Sequence, residues 1–245
     1  MSFADPIIIG VFVIVGAVGL VVVGLAVIYY ATCAMRSRWL GPSDWRGRTD
    51  TSSVALTFDD GPSADTERIL EVLNRHNVKA TFFMLGRQVE RFPHIAQRVA
   101  AAGHGIGNHS YSHPSFIFTR SSETRAQVKR GQEAIANAIG TPPQFARPPY
   151  GARTPAYFAA ARQLGLRTVL WSLSAFDWSQ RDATKIASKV LRRAKPGSII
   201  VLHDADNTGK CDRSPTVNAL QIIIEGLQAR GLNIAPLSQI LGPER

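Results

Sequence analysis

Short apolar runs alternate with helical patterns along the sequence after residue 53, and this alternation restricts the fold more than any other feature. The runs predicted to be strands are Val54–Phe58, Ala80–Leu85, His104–Asn108, Gln144–Arg147, Arg167–Trp171, Ser198–Leu202 and Asn233–Ala235. The segments predicted to be helices are Ala64–His76, Arg87–Ala102, Ser121–Ile139, Pro155–Leu164, Ala183–Ala194 and Pro215–Arg230. Such alternation indicates a parallel sheet. No Gly-x-Gly-x-x-Gly turn follows a strand, so we expect an α/β fold, a distorted (β/α) barrel of about seven strands, rather than an open sheet.

An apolar segment without any charged residue, from Pro6 to Met35, precedes this pattern. A helix rises about 1.5 Å per residue, so the segment is long enough to cross a hydrocarbon core of roughly 30 Å. It is longer than the apolar region of about 7–15 residues in a cleaved signal peptide, and no Lys or Arg precedes it. We therefore favour one retained N-terminal transmembrane helix over a cleaved signal.

The sequence divides into a membrane anchor over residues 1–35, a basic linker over 36–52 and one larger domain over 53–245. The basic residues after the apolar segment are Arg36, Arg38, Arg46 and Arg48, whereas Asp5 precedes it. The positive-inside rule would therefore place the larger domain in the cytoplasm.

The net charge of +10 suits an anionic partner or an acidic membrane surface, although solubility alone is a simpler explanation. Aromatic residues are not interleaved with the basic clusters, which argues against a nucleic-acid-binding protein. The two cysteines, Cys33 and Cys211, lack the spacing of a metal site, and we expect no disulfide between them.

Two adjacent carboxylates, Asp59 and Asp60, follow the first predicted strand and precede a Gly-Pro turn. An exposed turn would explain them, but the chemistry of (β/α) barrels takes place at the C-terminal ends of the strands. His109 and His113 follow the third strand and are spaced to face the same way on a helical turn. One carboxylate and two histidines would form a three-ligand metal site with open positions, although the histidine pair alone is weak evidence.

Three further segments also follow predicted strands. The two prolines after Arg147 would fix the direction of that arginine and of the backbone N–H of Tyr150, or simply form a turn. A later segment contains Asp177 and Trp178, which would line a sugar site or pack in the core. His203 ends an apolar strand, where it would serve as a proton donor or have a structural role.

Taken together, the segments "TFDDGP", "HSYSH", "RPPYG", "SAFDW" and "VLH" resemble the five motifs of the polysaccharide deacetylases. This family contains the NodB homology domain and is also known as carbohydrate esterase family four. The resemblance covers Ser53–Leu241. It implies a hydrolase that removes N-acetyl groups from N-acetylhexosamine units of a glycan, such as peptidoglycan, a chitin-like oligomer or an exopolysaccharide.

The resemblance also implies roles for individual residues. The residues implied to bind a divalent metal are Asp60, His109 and His113. Zinc is the first expectation for that metal, with cobalt, nickel or manganese as alternatives. The residues implied to act in catalysis are Asp59 as general base, His203 as general acid, Arg147 as the partner of Asp59, and Tyr150 through its backbone N–H. The residues expected to contact the sugar are Tyr150, Asp177 and Trp178.

One position departs from the family pattern, because Ser174 stands where the fourth motif usually has an aspartate. In the family that acid is thought to pair with the motif-three arginine, here Arg147, so a differently tuned enzyme is expected. Two alternatives stay open: a deacylase or deformylase of a lipid-linked sugar, suggested by the anchor and its basic flank, and a glycan-binding protein with lapsed activity, suggested by Ser174. We expect a monomer anchored in the cytoplasmic membrane. Family precedent places its larger domain outside the cytoplasm, whereas the basic flank leaves a cytoplasmic domain as the alternative.

Overall fold

The computed structural model describes residues 6–242, so the ends of the predicted anchor and domain, residues 1–5 and 243–245, lie outside the described residues. The strands are β1 (Ser53–Asp59), β2 (Thr81–Met84), β3 (Gly105–Asn108), β4 (Phe145–Ala146), β5 (Arg167–Thr168), β6 (Leu173–Ser174), β7 (Ile199–His203) and β8 (Asn233–Ile234). The helices are α1 (Pro6–Cys33), α2 (Ala64–Arg75), α3 (Gly86–Arg91), α4 (Pro93–Ala101), α5 (Ser121–Ile139), α6 (Pro155–Gln163), α7 (Ala183–Arg193), α8 (Ser214–Ala229) and α9 (Leu237–Ile240).

All strand pairs are parallel, in the order β5-β4-β3-β2-β1-β7-β6, and β8 adds to β1 at its N-terminal end. This arrangement confirms the predicted distorted (β/α) barrel. Among residues 6–242, no strand pairing joins β5 to β6, so the barrel is interrupted there. Strand β1 lies between β2 and β7, and its last residue, Asp59, is in register with Phe83 and His203. The strand register therefore brings the first and last motifs together.

The elements agree with the predicted ones apart from one divided helix, the shorter strands β4 and β5, and two short elements, β6 and α9, that were not predicted. The helix predicted over Arg87–Ala102 is two helices, α3 and α4, which meet at Phe92 and Pro93. Proline lacks the N–H that a continuing helix needs, and it instead begins the second helix. Strand β6 was not predicted, because two residues carry too little periodicity to be recognised.

The core lies between the sheet and the helices that flank it. Strand β1 is buried from Val54 onwards, and α2 turns Ile69 and Leu73 towards it. Ser63 begins α2 by accepting a hydrogen bond from the backbone N–H of Asp65, as expected of a serine before a helix. The core thus fixes the strand ends from which the motif loops extend.

Helix α1 contains the one segment among the described residues that is long and apolar enough to cross a membrane, Ile14–Cys33, and none of it is buried in the protein. Length and composition of this kind suit both a membrane anchor and a signal sequence. The predicted linker after it packs along the barrel. Asp44 forms an isolated parallel bridge with Val169, and Gly47 N–H donates to Gly197 O at 2.9 Å.

Candidate active site

Three predicted metal ligands converge at the C-terminal ends of β1 and β3. Asp60 Oδ1 lies 3.6 Å from His109 Nε2 and 3.3 Å from His113 Nε2. The ligand atoms of the three residues all lie within 4.8 Å of one another. Asp60 Oδ1 is buried and has no hydrogen-bond partner among the described residues. A buried carboxylate oxygen without a donor beside two imidazole nitrogens fits a divalent cation.

The protonation of the histidines also suits metal binding. His109 Nδ1 lies 2.7 Å from Arg147 O, so Nδ1–H donates to that carbonyl and Nε2 keeps its lone pair. Burial lowers the pKa of His109 and of His113 to about 3, so both rings are neutral. Burial likewise raises the pKa of Asp60 to about 7, and a bound cation would offset that effect.

Backbone strain is concentrated around these residues. Among residues 6–242, six non-glycine residues have positive φ angles, namely Asp60, Asn77, Ser110, His113, Tyr150 and Phe176. All except Asn77 lie in four of the five motif segments. Left-handed backbone costs free energy outside glycine and occurs preferentially at functional sites, where surrounding contacts hold it in place.

Arg147 holds Asp59 in position from behind. The Arg147 Nη1 group donates to Asp59 Oδ1 at 2.7 Å and to Thr57 Oγ1 at 2.9 Å. Asp59 and Arg147 are both buried, which favours a well-ordered pair. Asp59 Oδ2 lies 3.9 Å from His109 Nε2, so this second oxygen faces the metal ligands.

The missing carboxylate at Ser174 is replaced by backbone carbonyls. Arg147 Nε donates to Val169 O at 3.1 Å, and Nη2 donates to Leu170 O at 2.8 Å. The guanidinium therefore has partners on all three nitrogens without an acid at position 174. Ser174 instead accepts a hydrogen bond from the Phe176 N–H.

Asp177 was predicted to contact the sugar, but the structure places it behind His203. Its carboxylate is buried, with Oδ1 2.9 Å from His203 Nδ1 and Oδ2 2.7 Å from His203 N. Thr216 Oγ1 donates to the same Oδ2. Burial is the largest single effect and lowers the pKa of His203, but the carboxylates of Asp177, Asp60 and Asp59 together outweigh it and raise that pKa to about 9. His203 is therefore protonated at neutral pH.

A cavity of about 420 Å³ opens over these groups. Its lining residues are Asp59, Asp60, His109, His113, Tyr150, Trp171, Ser174, Trp178, Val201, His203, Asp206 and Asn207. Tyr150 and Trp178 are exposed at its mouth, and the Tyr150 ring lies edge-on to His113 at 4.6 Å. All predicted site residues except Arg147 and Asp177, which lie behind it, line this cavity.

Two groups of site residues were missed by sequence reasoning. Asp206 and Asn207 line the cavity from a loop without periodicity. Asp204 is buried and ties β7 to the first motif, because its Oδ1 accepts from the Gly61 N–H and its Oδ2 from Thr66 Oγ1. The signal for Asp204 was a carboxylate directly after His203, at the end of a buried strand.

Comparison with known proteins gives a consistent result. A family model described as polysaccharide deacetylase matches residues 46–169. A peptidoglycan-N-acetylglucosamine deacetylase of Bacillus cereus is 40% identical over 192 residues, which is 78% of this chain and 69% of the relative. A chitooligosaccharide deacetylase of a Bradyrhizobium species is 38% identical over 199 residues, 78% of this chain and 91% of the relative.

Comparison with solved structures gives the same kind of relative. A crystal structure of a peptidoglycan N-acetylglucosamine deacetylase, in complex with 4-naphthalen-1-yl-N-oxidanyl-benzamide, superposes with a TM-score of 0.76 at 36% sequence identity. The match covers 83% of this chain and 95% of the other.

Proposed function

Because the chain belongs to the polysaccharide deacetylase family, we propose that it is a metal-dependent hydrolase that removes N-acetyl groups from N-acetylhexosamine units of a glycan. The observation that carries this proposal is a single cavity with three kinds of group: the Asp60, His109 and His113 cluster, the Asp59 carboxylate and the His203 imidazole. Peptidoglycan and chitin-like oligomers are the first substrates to test, because relatives are named for them.

Asp60, His109 and His113 would hold the cation, with zinc expected first. When bound, such a cation polarises the amide carbonyl and lowers the pKa of a neighbouring water towards about 7. Two histidines and one carboxylate leave coordination positions open for substrate and water, and they also accept cobalt, nickel or manganese.

Asp59 acts as the general base. Its Oδ1 is occupied by Arg147, so Oδ2 accepts the proton from the attacking water while the water oxygen adds to the amide carbon. The backbone N–H of Tyr150 donates to the carbonyl oxygen as it becomes an oxyanion. Arg147 is a positioning residue in this scheme, because it contacts Asp59 and is fully buried.

His203 acts as the general acid. Asp177 accepts from Nδ1–H, so the proton on Nε2 is directed away from Asp177 and is available to the leaving nitrogen. As the C–N bond breaks, His203 protonates the amine, and acetate and the free amino sugar leave. Trp178, Trp171 and Tyr150 provide aromatic walls on which a sugar ring can pack.

We further propose that residues 1–35 anchor the protein in the cytoplasmic membrane and that residues 53–245 form the catalytic domain. A second candidate substrate, an acylated lipid-linked sugar, is favoured by one contact. Met35, just after α1, packs so closely on Gly151 that a Cβ there would lie 2.6 Å from its terminal methyl. Gly151 follows Tyr150 at the cavity mouth, so the cavity lies near the end of the membrane helix.

The test is acetate release by the full chain in detergent. The panel contains N-acetylglucosamine oligomers, peptidoglycan fragments and a lipid-linked N-acetylglucosamine, each with metal-free enzyme and with zinc or cobalt restored. We expect release only with metal, and a loss of at least about 100-fold in Asp59→Asn, since general-base catalysis contributes about 10²–10⁴-fold.

The matched control is Asp50→Asn, which removes an exposed carboxylate paired with Arg48 and should leave release unchanged. Release from the lipid-linked sugar alone would select the second substrate. Stoichiometric metal binding without release from any member of the panel would contradict deacetylation and favour a lapsed enzyme.

A further inference from the structure

A second cavity, of about 380 Å³, lies beside the segment that follows α1 and is separate from the catalytic cavity. Its apolar floor includes Leu40 and Phe158, and three arginines line it: Arg38, Arg162 and Arg167. Asp44 is the one carboxylate in the lining. An apolar floor bordered by guanidinium groups matches an amphipathic anion better than a sugar or a metal ion.

Two of the three arginines, Arg38 and Arg162, are not neutralised by a close carboxylate within the described part of the chain. Arg167 Nε donates to Asp44 Oδ2 at 2.7 Å, and its Nη1 donates to Gly242 O. Arg38 lies 3.9 Å from the other oxygen of Asp44, a weak contact at a half-exposed side chain. Arg162 is exposed and has no ion pair among residues 6–242. Asp44 is therefore neutralised by Arg167, and Arg38 and Arg162 remain available to an anion.

The cavity is held close to the end of α1. Arg153 is buried, and its guanidinium donates to three backbone carbonyls, those of Thr32, Ala34 and Ser37. Arg38 follows Cys33 by only five residues, a reach of at most roughly 18 Å. The position of the cavity relative to α1 is therefore set by direct bonds, not by a loose tether.

Two exposed aromatic side chains, Tyr30 and Trp39, lie at the same end of α1 as this cavity. Trp39 is 66% exposed, and its ring meets Tyr30 edge-on at 5.3 Å between centroids. Exposed Trp and Tyr at the end of an apolar helix are typical of the membrane–water interface. If α1 spans the bilayer, Arg38 and Arg162 lie at the depth of the lipid headgroups.

We propose that this cavity binds the headgroup of an anionic phospholipid, with Arg38 and Arg162 on the phosphate and Leu40 and Phe158 beneath the glycerol and first methylenes. The chemistry recognised is a phosphate ester anion, which lipid and free phosphate share, and the apolar floor assigns the lipid. Bound lipid would fix the orientation of the catalytic cavity to the membrane surface.

The experiment is lipid titration of the full chain in neutral detergent, followed by native mass spectrometry. The probes are dioctanoyl-phosphatidylglycerol, dioctanoyl-phosphatidylcholine and inorganic phosphate. We expect phosphatidylglycerol to bind at least about tenfold more tightly than either of the others. The variant Arg38→Gln/Arg162→Gln should lose that preference, with at least a tenfold weaker Kd.

Arg192→Gln/Arg193→Gln is the matched control, because it removes two exposed arginines from α7 without touching the cavity. Its Kd should stay within twofold of the wild type. Equal weakening in both double variants would indicate general charge attraction and overturn the proposal. Equal binding of phosphatidylcholine, or displacement of phosphatidylglycerol by phosphate at similar concentration, would overturn the assignment to an anionic lipid.

Discussion

The buried pair of Asp177 and His203 determines over which pH range the proposed acid can work. Burial favours the neutral imidazole, whereas the carboxylate 2.9 Å from Nδ1 favours the charged one. Because Asp177, with smaller contributions from Asp60 and Asp59, outweighs burial, His203 keeps its proton up to a pKa of about 9. Loss of the His203 proton should therefore lower activity on the alkaline side.

Replacing Asp177→Asn should move that alkaline limb to lower pH by about 1–3 units, since a nearby opposite charge shifts a pKa by that amount. The measurement is kcat for acetate release across about pH 6–10 for wild type and variant. Thr216→Val is the matched control, because it removes a hydrogen bond to Asp177 and keeps the charge. An unchanged limb in Asp177→Asn would mean that His203 is not the titrating acid.

At this scale the sequence predicted which residues gather at the site and that Arg147 pairs with Asp59, but not that Asp177 pairs with His203. The motif residues were identifiable because each follows a strand of a predicted barrel. The further partners of Arg147 were not predictable, since Val169 and Leu170 contribute backbone carbonyls that no side-chain pattern encodes. Asp177 was predicted to contact the sugar, but its carboxylate is bonded to His203 and Thr216, which lie 26 and 39 positions away in the chain, so no local pattern could reveal this.

At the scale of elements, Gly107 in β3 leaves room for the Phe83 side chain, which packs against Arg147. A Cβ on Gly107 would lie 2.5 Å from Cδ1 of Phe83 on the neighbouring strand and 3.2 Å from Phe145 O. The Phe83 ring is buried and lies 4.0 Å beneath the Arg147 guanidinium. Any side chain at position 107 must therefore displace the Phe83 ring, against which the Arg147 guanidinium packs.

We expect Gly107→Ala to lower the free energy of unfolding by about 1–3 kcal/mol, the usual cost of overpacking a core. It should also lower kcat, because Arg147 moves with Phe83. Urea unfolding followed by tryptophan fluorescence measures the first effect. Gly242→Ala is the control, since its Cβ would meet only Arg48 Cγ at 3.9 Å. Equal stability losses in the two variants would contradict the argument.

The long elements were predictable because their apolar periodicity is strong, and α5 has the predicted bounds, Ser121–Ile139. The errors fall where local signals are short or contradictory. Pro93 divides a continuous helical pattern into α3 and α4. Strands β4 and β5 have two residues each, although longer ones were expected.

At the scale of the whole molecule, the segment that joins α1 to the barrel has the composition of a flexible linker but is bonded to the barrel. Residues 36–52 have the Gly, Pro and Arg content of a linker, yet Asp44 N–H donates to Thr168 O and Leu170 N–H donates to Asp44 O. Such contacts join residues about 125 positions apart, so sequence periodicity could not reveal them. The domain boundaries read from composition remain a prediction.

Arg153 is the residue on which this attachment depends most. The carbonyls at a helix C-terminus have no partner within the helix, and Arg153 supplies donors to Thr32, Ala34 and Ser37 from one planar group. A glutamine is too short to reach all three, and a lysine lacks the planar array of donors. Either substitution should therefore release the segment after α1 from the barrel.

The measurement is hydrogen–deuterium exchange of the full chain in detergent. We expect amides between Ala34 and Asp44 to exchange at least about tenfold faster in Arg153→Gln, and by a smaller factor in Arg153→Lys, because local opening needs less free energy. Arg125→Gln, which removes an exposed arginine from α5, should leave that segment unchanged. Unchanged exchange in Arg153→Gln would contradict a role for the Arg153 side chain. The segment would then be held by the contacts of Asp44 and by the backbone N–H of residue 153, which donates to Thr32 O and is kept in the variant.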